Sequence, residues 1–88
     1  SGLANALRYQ NRFDEALPYA ERAFLLRSNQ LPDDNPNLAS SRLTYGICLW
    51  NLDRTDEAEP LLRDALAFYE RDSERYEEEI SEIRALGL

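Results

Sequence analysis

The chain lacks lysine, histidine and methionine, and its only cysteine is Cys48. A disulfide within one chain needs two cysteines, and zinc sites in proteins are built mainly from cysteine and histidine, so the composition excludes both features. The absence of histidine also removes the commonest general base of enzymes. We therefore expect a protein that is not an enzyme, holds no metal and needs no cofactor.

Long apolar runs and an excess of positive charge are also missing. No apolar segment approaches the roughly 20 residues that a membrane helix needs, and no basic-then-apolar signal segment opens the chain. Ten arginines are outnumbered by 17 acidic residues, which gives a net charge of −7. Binding to nucleic acid calls for a basic face that neutralises phosphates. We therefore expect neither a nucleic-acid nor a membrane partner, and we expect a cytoplasmic location.

The length of 88 residues allows one small domain. Because no initiator methionine is present, we expect a piece of a longer protein or an engineered segment. Ser1 and Gly2 are then expected to be the remnant of a cleaved tag, so that the fold begins at Leu3.

The most informative feature that is present is an internal repeat at an offset of 42 residues. The segment Asp14-Glu15-Ala16-x-Pro18 recurs as Asp56-Glu57-Ala58-x-Pro60. Aligning residues 3–28 with 45–70 gives seven identities in 26 pairs. A period between about 20 and 50 residues is typical of solenoid proteins, in which repeated units stack on their neighbours.

Each unit is predicted to be a pair of helices. In the second unit, apolar and small residues recur at three- and four-residue spacing, which predicts a helix over about 38–52 and another over about 56–70. Asp56 is the expected N-cap of the latter helix. Gly46 falls inside the former, where glycine costs roughly 1 kcal/mol relative to alanine, so we expect a close helix contact there.

The first unit follows the same plan. It is predicted to form a short helix over 3–10, a turn, and a helix from the Asp14 cap to about Arg27. A loop with two prolines then leads to the second unit, and Pro36 or Asn37 is expected to begin the next helix.

These units resemble the tetratricopeptide repeat, a helix–turn–helix unit with small residues at its packing positions. The 42-residue period and the connector Leu-Pro-Asp-Asp-Asn-Pro-Asn-Leu-Ala at 31–39 are more similar to the kinesin-light-chain type than to the ordinary 34-residue unit. The sequence departs from the family at Tyr45, where leucine is usual, and at Arg42, where an aromatic residue is common. Six small residues match the family's packing positions: Ala4, Ala16, Ala23, Gly46, Ala58 and Ala65.

The resemblance implies an all-α superhelix of about two helix–turn–helix repeats plus a C-terminal capping helix. Repeat 1 covers about 3–28 with a short first helix, the linker covers 29–37, and repeat 2 covers about 38–70. The capping helix covers about 71–88, where apolar residues recur at four- and three-residue spacing. We expect this helix either to begin at Ser73 as its cap or to continue the preceding helix without a break.

The resemblance also implies that the first helices of the repeats line a concave surface that holds partner peptides or helices. Tyrosine and tryptophan supply rigid contact area, asparagine can bond a peptide backbone, and arginine can bind a carboxylate. Helical phase assigns nine candidate residues to this surface: Asn5, Arg8, Tyr9, Ser40, Leu43, Thr44, Ile47, Trp50 and Asn51.

Several of these residues have a second interpretation. Trp50 is either an anchor in the groove or, as we favour, a packing residue between the first helices of adjacent repeats. Cys48 is expected to be a small core residue, and the acidic residues at 77–79 a solvated helix face. The family's chaperone-binding members use a clamp of Lys, Asn and Arg, of which only Asn5 matches here, with Thr44 in place of another asparagine. We therefore do not expect a receptor for chaperone tails.

Two functions remain open at this point. The chain is either a protein-binding module with a concave docking surface or a self-association element, because two repeats fall short of the roughly three usually needed for stability. A homodimer would then form through exposed repeat edges or an exchanged C-terminal helix. The net charge favours a basic or neutral partner, although Arg8 and Arg42 could make the groove locally positive.

Overall fold

The computed structural model describes residues 2–88, and all of their regular structure is helical. The predicted all-α class is thereby confirmed, since residues 2–88 contain no β-strand. Ser1 lies outside the described residues, whereas Gly2 already belongs to the first helix and not to a segment outside the fold. The helices are α1 (Gly2–Tyr9), α2 (Phe13–Gln30), α3 (Pro36–Asn51), α4 (Thr55–Tyr69) and α5 (Glu77–Arg84), with one 3₁₀ turn at Glu70–Asp72.

The turns within the two hairpins are built in the same way, 42 residues apart. Asn11 and Asp53 both adopt the left-handed conformation, with φ of 59° and 63°. These residue types tolerate that conformation better than most others. The amide of the next residue, Arg12 or Arg54, then donates to a carbonyl five residues earlier, at 2.9 Å in both turns. The internal sequence repeat therefore corresponds to a structural repeat.

The second helix of each hairpin begins one residue earlier than the predicted aspartate cap. Helix α2 begins at Phe13 and α4 at Thr55, so Asp14 and Asp56 lie within the first turn and are not N-caps. The prediction was wrong because the left-handed residue already reverses the chain, which lets the helix start at once. The carboxylates still lie where the positive end of the helix dipole favours them.

The connector between the hairpins is shorter than predicted, because α2 continues beyond Arg27 to Gln30. Helix α3 begins at Pro36, the earlier of the two predicted starts. Asn35 caps this helix, since its side-chain oxygen accepts a hydrogen bond from the backbone amide of Asn37 at 2.8 Å.

Successive helices pack on one another along the chain, and α3 lies between α2 and α4. Gly46 makes the α3–α4 contact possible, because a Cβ atom there would lie 2.7 Å from the Leu62 side chain. Ala16 and Ala58, which occupy equivalent places in the two hairpins, are fully buried. The predicted close packing at small residues is confirmed at these positions.

The C-terminal segment follows neither of the two expected courses. A 3₁₀ turn and further turns at 73–76 interrupt the helix, and α5 begins only at Glu77, so Ser73 is not its cap. An unbroken helix would carry the apolar stripe of the segment past the last hairpin into water. The break instead returns Tyr76 to Tyr69, with ring centroids 4.9 Å apart, and buries Ile83 completely.

Candidate functional site

Helices α1, α3 and α5 form one face of the molecule, which we call the concave surface. It contains two cavities, of about 430 and 210 Å³, with Arg8, Tyr9 and Glu82 on the walls of both. The structure brings most of the predicted residues together here. Five line the larger cavity (Asn5, Arg8, Tyr9, Ser40 and Leu43), and Ile47 and Asn51 line the smaller one.

Arg8 lies between the two cavities and is only 6% exposed. Its Nη1 atom donates to Glu82 Oε2 at 2.5 Å, and its Nη2 atom donates to the Tyr9 hydroxyl at 3.2 Å. The guanidinium also lies 4.4 Å from the centre of the Tyr9 ring, within cation–π range. The Nε atom is buried and finds no acceptor anywhere in residues 2–88. Arg8 therefore joins α1 to α5 across the concave surface and leaves one donor unsatisfied.

Two predicted asparagines lie at opposite ends of the surface. Asn5 is half-buried, and its side-chain oxygen accepts a hydrogen bond from Thr44 Oγ1 at 2.7 Å. Thr44 itself is buried, so its contribution is to hold Asn5 in place. Asn51 is exposed at the end of α3, where its amide donates to the Ile47 carbonyl at 2.9 Å.

Leu43 and Ile47 lie beneath the surface. Both belong to the core cluster that also contains Ile83 of α5, and both are buried. Trp50 lines neither cavity and packs half-buried against the same cluster. The accessible part of the predicted set is therefore Asn5, Tyr9, Ser40 and Asn51.

Three carboxylates of α5 were not among the predicted site residues. Glu78, Glu79 and Glu82 line the larger cavity. Glu77 and Glu78 are exposed, as the solvated-face interpretation predicts, whereas Glu79 is half-buried. The three- and four-residue spacing of Tyr76, Ile80 and Ile83 predicted that this segment covers the last repeat. It could not predict which helices the segment would contact, because this depends on where the chain turns after α4.

Arg42 does not contribute to the concave surface, so the expectation that it makes the groove positive was wrong. It contacts Asp33 in the connector at 3.2 Å and lines a separate cavity with Asp64 and Phe68. The position of Arg42 on α3 directs its side chain towards the connector. Arg8 is thus the sole arginine that lines either cavity of the concave surface.

Cys48 and Tyr69 are buried titratable groups next to this surface. Burial raises the pKa of the Cys48 thiol, and the charge of Arg8 lowers it by less. Burial also raises the pKa of Tyr69 well above its usual range, and the negative charge of Glu79 adds to the shift. Both groups are therefore neutral at physiological pH, and Cys48 is the core residue that the sequence predicted.

No group of three metal-binding side chains occurs in the described part of the chain. None of the helices within residues 2–88 is long and apolar enough to cross a membrane.

A family model described as tetratricopeptide repeat matches residues 1–71, which is most of the chain and includes both hairpins. The match ends before α5. No curated protein and no solved structure gives a significant match. The two turns with matching φ angles and hydrogen bonds, the small packing residues and the family match agree. The chain therefore belongs to the tetratricopeptide-repeat family.

Proposed function

We propose that the chain is a non-catalytic module that binds a segment of a partner protein on its concave surface. Members of this family generally mediate protein–protein interaction. The observation that carries the proposal is the arrangement of Arg8, Tyr9 and Asn51 around two adjoining cavities. We propose a scaffold or adaptor role, because these side chains offer contacts to a bound segment.

The exposed side chains suit a peptide ligand. Tyr9 is 73% exposed, although it is large and apolar, and its ring is held against Arg8. A rigid aromatic side chain of this kind gives contact area at little entropic cost. Asn5 and Asn51 lie on either side and can bond the backbone of a bound segment at donor and acceptor together.

The partner as a whole is proposed to be basic or neutral. A net charge of −7 repels a strongly acidic protein over several ångströms, and salt weakens this repulsion. The carboxylates of Glu78 and Glu79 at the larger cavity add to this bias. No nucleic-acid or membrane partner is proposed.

We further propose that the repeats are of the kinesin-light-chain type and form part of a longer array in the cytoplasm. The 42-residue spacing supports the subtype, because the left-handed turn residues Asn11 and Asp53 recur at the same spacing. The Pro-containing connector, which ends in the Asn35 cap, also fits it.

A peptide-library screen tests the binding proposal. Ligands selected by the wild-type chain should bind a Tyr9→Ala/Asn51→Ala variant at least about tenfold more weakly, as expected when contact residues at the centre of an interface are removed. A Tyr19→Ala/Asn29→Ala variant removes the same residue types from α2 and serves as the control. The proposal fails if no ligand is found, or if every ligand binds both variants equally.

Self-association is the second candidate, and one observation favours it. The outer face of α1 and α2 exposes Leu3, Tyr19, Leu25 and Leu26. In the second hairpin, Tyr45 takes the place of Leu3 and packs against Phe24 of α2, with ring centroids 5.6 Å apart. The corresponding face of the first hairpin is therefore suited to a helix like α2. We propose that a second copy of the chain covers this face, so that the two copies join edge to edge. Helix α5 packs on its own chain in this structure. Exchange of α5 between two copies is the other form of the self-association proposal.

A further inference from the structure

Helix α5 does more than cover the last hairpin. Through Glu82 it contacts Arg8, which is 74 positions earlier in the chain and belongs to the first hairpin. The helix therefore lies across the concave surface on which we propose that the partner binds. Any ligand that reaches the buried part of this surface must compete with α5.

Two adjacent side chains of α5 make its most buried contacts with the surface, and Ile80 and Leu86 pack against the same core cluster. Glu82 pairs with the guanidinium of Arg8, and the next residue, Ile83, is 0% exposed within the cluster that contains Leu43 and Ile47. One carboxylate and one aliphatic side chain thus satisfy the charged and the apolar part of the surface together. This pair defines the chemistry that the surface recognises.

Other features of α5 make it easy to displace. It has eight residues, too few for a helix that is stable by itself, and non-helical turns at 73–76 separate it from α4. Its remaining ion pair, between Arg84 and Glu70, is exposed, and such pairs contribute little.

The fit of α5 on the surface is also incomplete. Arg8 Nε is buried without an acceptor while Glu82 occupies the Nη1 position. An unsatisfied buried donor costs free energy that a better-placed ligand would recover. A carboxylate that binds two N–H groups of the guanidinium side by side would satisfy Nε as well.

We propose that α5 occupies the binding site of the partner, and that the partner binds in its place on Arg8, Leu43 and Ile47. The partner segment carries an Asp or Glu followed directly by an aliphatic residue, as Glu82-Ile83 does. It displaces α5 on binding. This inference rests on the proposed function, and it adds the site and the recognised chemistry. A partner that is basic or neutral as a whole meets this requirement with one acidic residue in the docking segment.

Binding of a synthetic peptide of residues 76–88 to the full chain tests the inference. A Glu82→Gln/Ile83→Asp variant should release its own α5 and should bind this peptide about tenfold or more tightly than the wild type, in which α5 competes. A peptide with Glu82→Gln should lose most of this affinity. A peptide with Glu77→Gln, which removes the same charge from an exposed residue that lines neither cavity, should keep it.

Equal binding to the wild type and the variant, or no binding to either, would overturn the inference. Circular dichroism establishes that the variant keeps the helices of its two hairpins. A second measurement does not depend on that variant. Amide hydrogen exchange in residues 77–86 of the full chain should be severalfold faster in Glu82→Gln than in Glu77→Gln, and equal rates would contradict the role of the Arg8 contact.

The two proposals fail in different ways. If library ligands bind the concave surface but bind Glu82→Gln no better than the wild type, partner binding stands and displacement of α5 is wrong. If the peptide of residues 76–88 binds as expected but no library ligand depends on Tyr9 or Asn51, the surface recognises α5 alone and the proposed function is wrong.

Discussion

Gly46 shows how one residue fixes the distance between two helices. The nearest atoms to a Cβ at this position would be Cγ and Cδ2 of Leu62, both at 2.7 Å, and Leu62 is fully buried. Because Leu62 is enclosed by the core, it cannot move aside without disturbing its neighbours.

We predict that Gly46→Ala destabilises the chain by roughly 1–3 kcal/mol, because overpacking outweighs the higher helix propensity of alanine. The free energy of unfolding in urea measures this. Gly2→Ala is the control, since nothing lies within 4 Å of a Cβ there, and it should be neutral or slightly stabilising. A Gly46→Ala chain as stable as the wild type would show that α3 and α4 are not in such close contact.

A second prediction at this scale concerns the thiol of Cys48. The side chain is fully buried and its pKa is raised by burial, so the reactive thiolate is scarce and inaccessible at neutral pH. Alkylation by iodoacetamide, followed by mass spectrometry, should be slow in the native chain and fast in denaturant. Rapid modification of the native chain would place Cys48 outside the core.

At the scale of elements, the caps and turns decide where each helix begins. Asn35, which lies in the loop that the sequence predicted, caps α3. Its side-chain oxygen accepts a hydrogen bond from the backbone amide of Asn37 at 2.8 Å. Asn35→Ala should cost about 1 kcal/mol of stability, as loss of an N-cap does. Asn29→Ala, which alters an exposed residue within α2, is the control and should cost nothing. Equal effects of the two substitutions in urea denaturation would exclude the cap.

The paired arginine and glutamate at each hairpin turn predict a dependence on pH. Hydrogen bonds from Arg12 and Arg54 lower the pKa of Glu15 and Glu57. A lowered folded-state pKa contributes stability above the unfolded-state pKa, which is lost as the pH falls through the folded-state value. A Glu15→Gln/Glu57→Gln variant should therefore lose less stability than the wild type on acidification from pH 7 to pH 3.

The measurement is urea denaturation at both pH values. Asp34→Asn/Glu74→Gln removes two carboxylates that form no ion pair in the described part of the chain. It should follow the wild-type pH dependence more closely than the Glu15/Glu57 variant does. The same loss for all three proteins would contradict a role for the turn pairs.

The elements show which features a sequence alone can predict. The 42-residue repeat predicted both hairpins, and the prolines of the connector predicted that α3 begins at Pro36 or Asn37, because these features depend on local periodicity and proline chemistry. The sequence placed the caps at Asp14 and Asp56, two residues after the observed cap positions Arg12 and Arg54, because the left-handed turn residues before them look like ordinary polar residues. The course of α5 depends on contacts with distant parts of the fold, namely the burial of Ile83 in the core and the pairing of Glu82 with Arg8, and no local pattern near Glu82 encodes them.

For the site, helical phase predicted the side on which Tyr9 and Asn51 lie, since phase along a helix is a local property. It could not predict that Leu43 and Ile47 are covered. Their burial follows from the return of α5, which is decided by the packing of Ile83 in the folded chain.

At the scale of the whole molecule, two faces are available for other proteins: the concave surface and the apolar outer face of α1 and α2. Leu25 and Leu26 on the outer face are each more than half exposed. If this face joins two copies, the molar mass in solution should rise with concentration. Leu25→Glu should keep the chain monomeric, whereas Ala67→Glu, at the equivalent exposed position of the second hairpin, should not. A wild-type chain that stays monomeric at high concentration would remove the self-association proposal.

The central claim is that partners bind on the face formed by α1, α3 and α5. Chemical-shift mapping of the labelled chain with a library-selected peptide tests it most directly. The account predicts that the shifts concentrate at Asn5, Tyr9, Ser40 and Asn51 and along α5, while Tyr19 and Leu25 stay unchanged. Shifts confined to the outer face of α2, with the amides around Tyr9 unaffected, would contradict it.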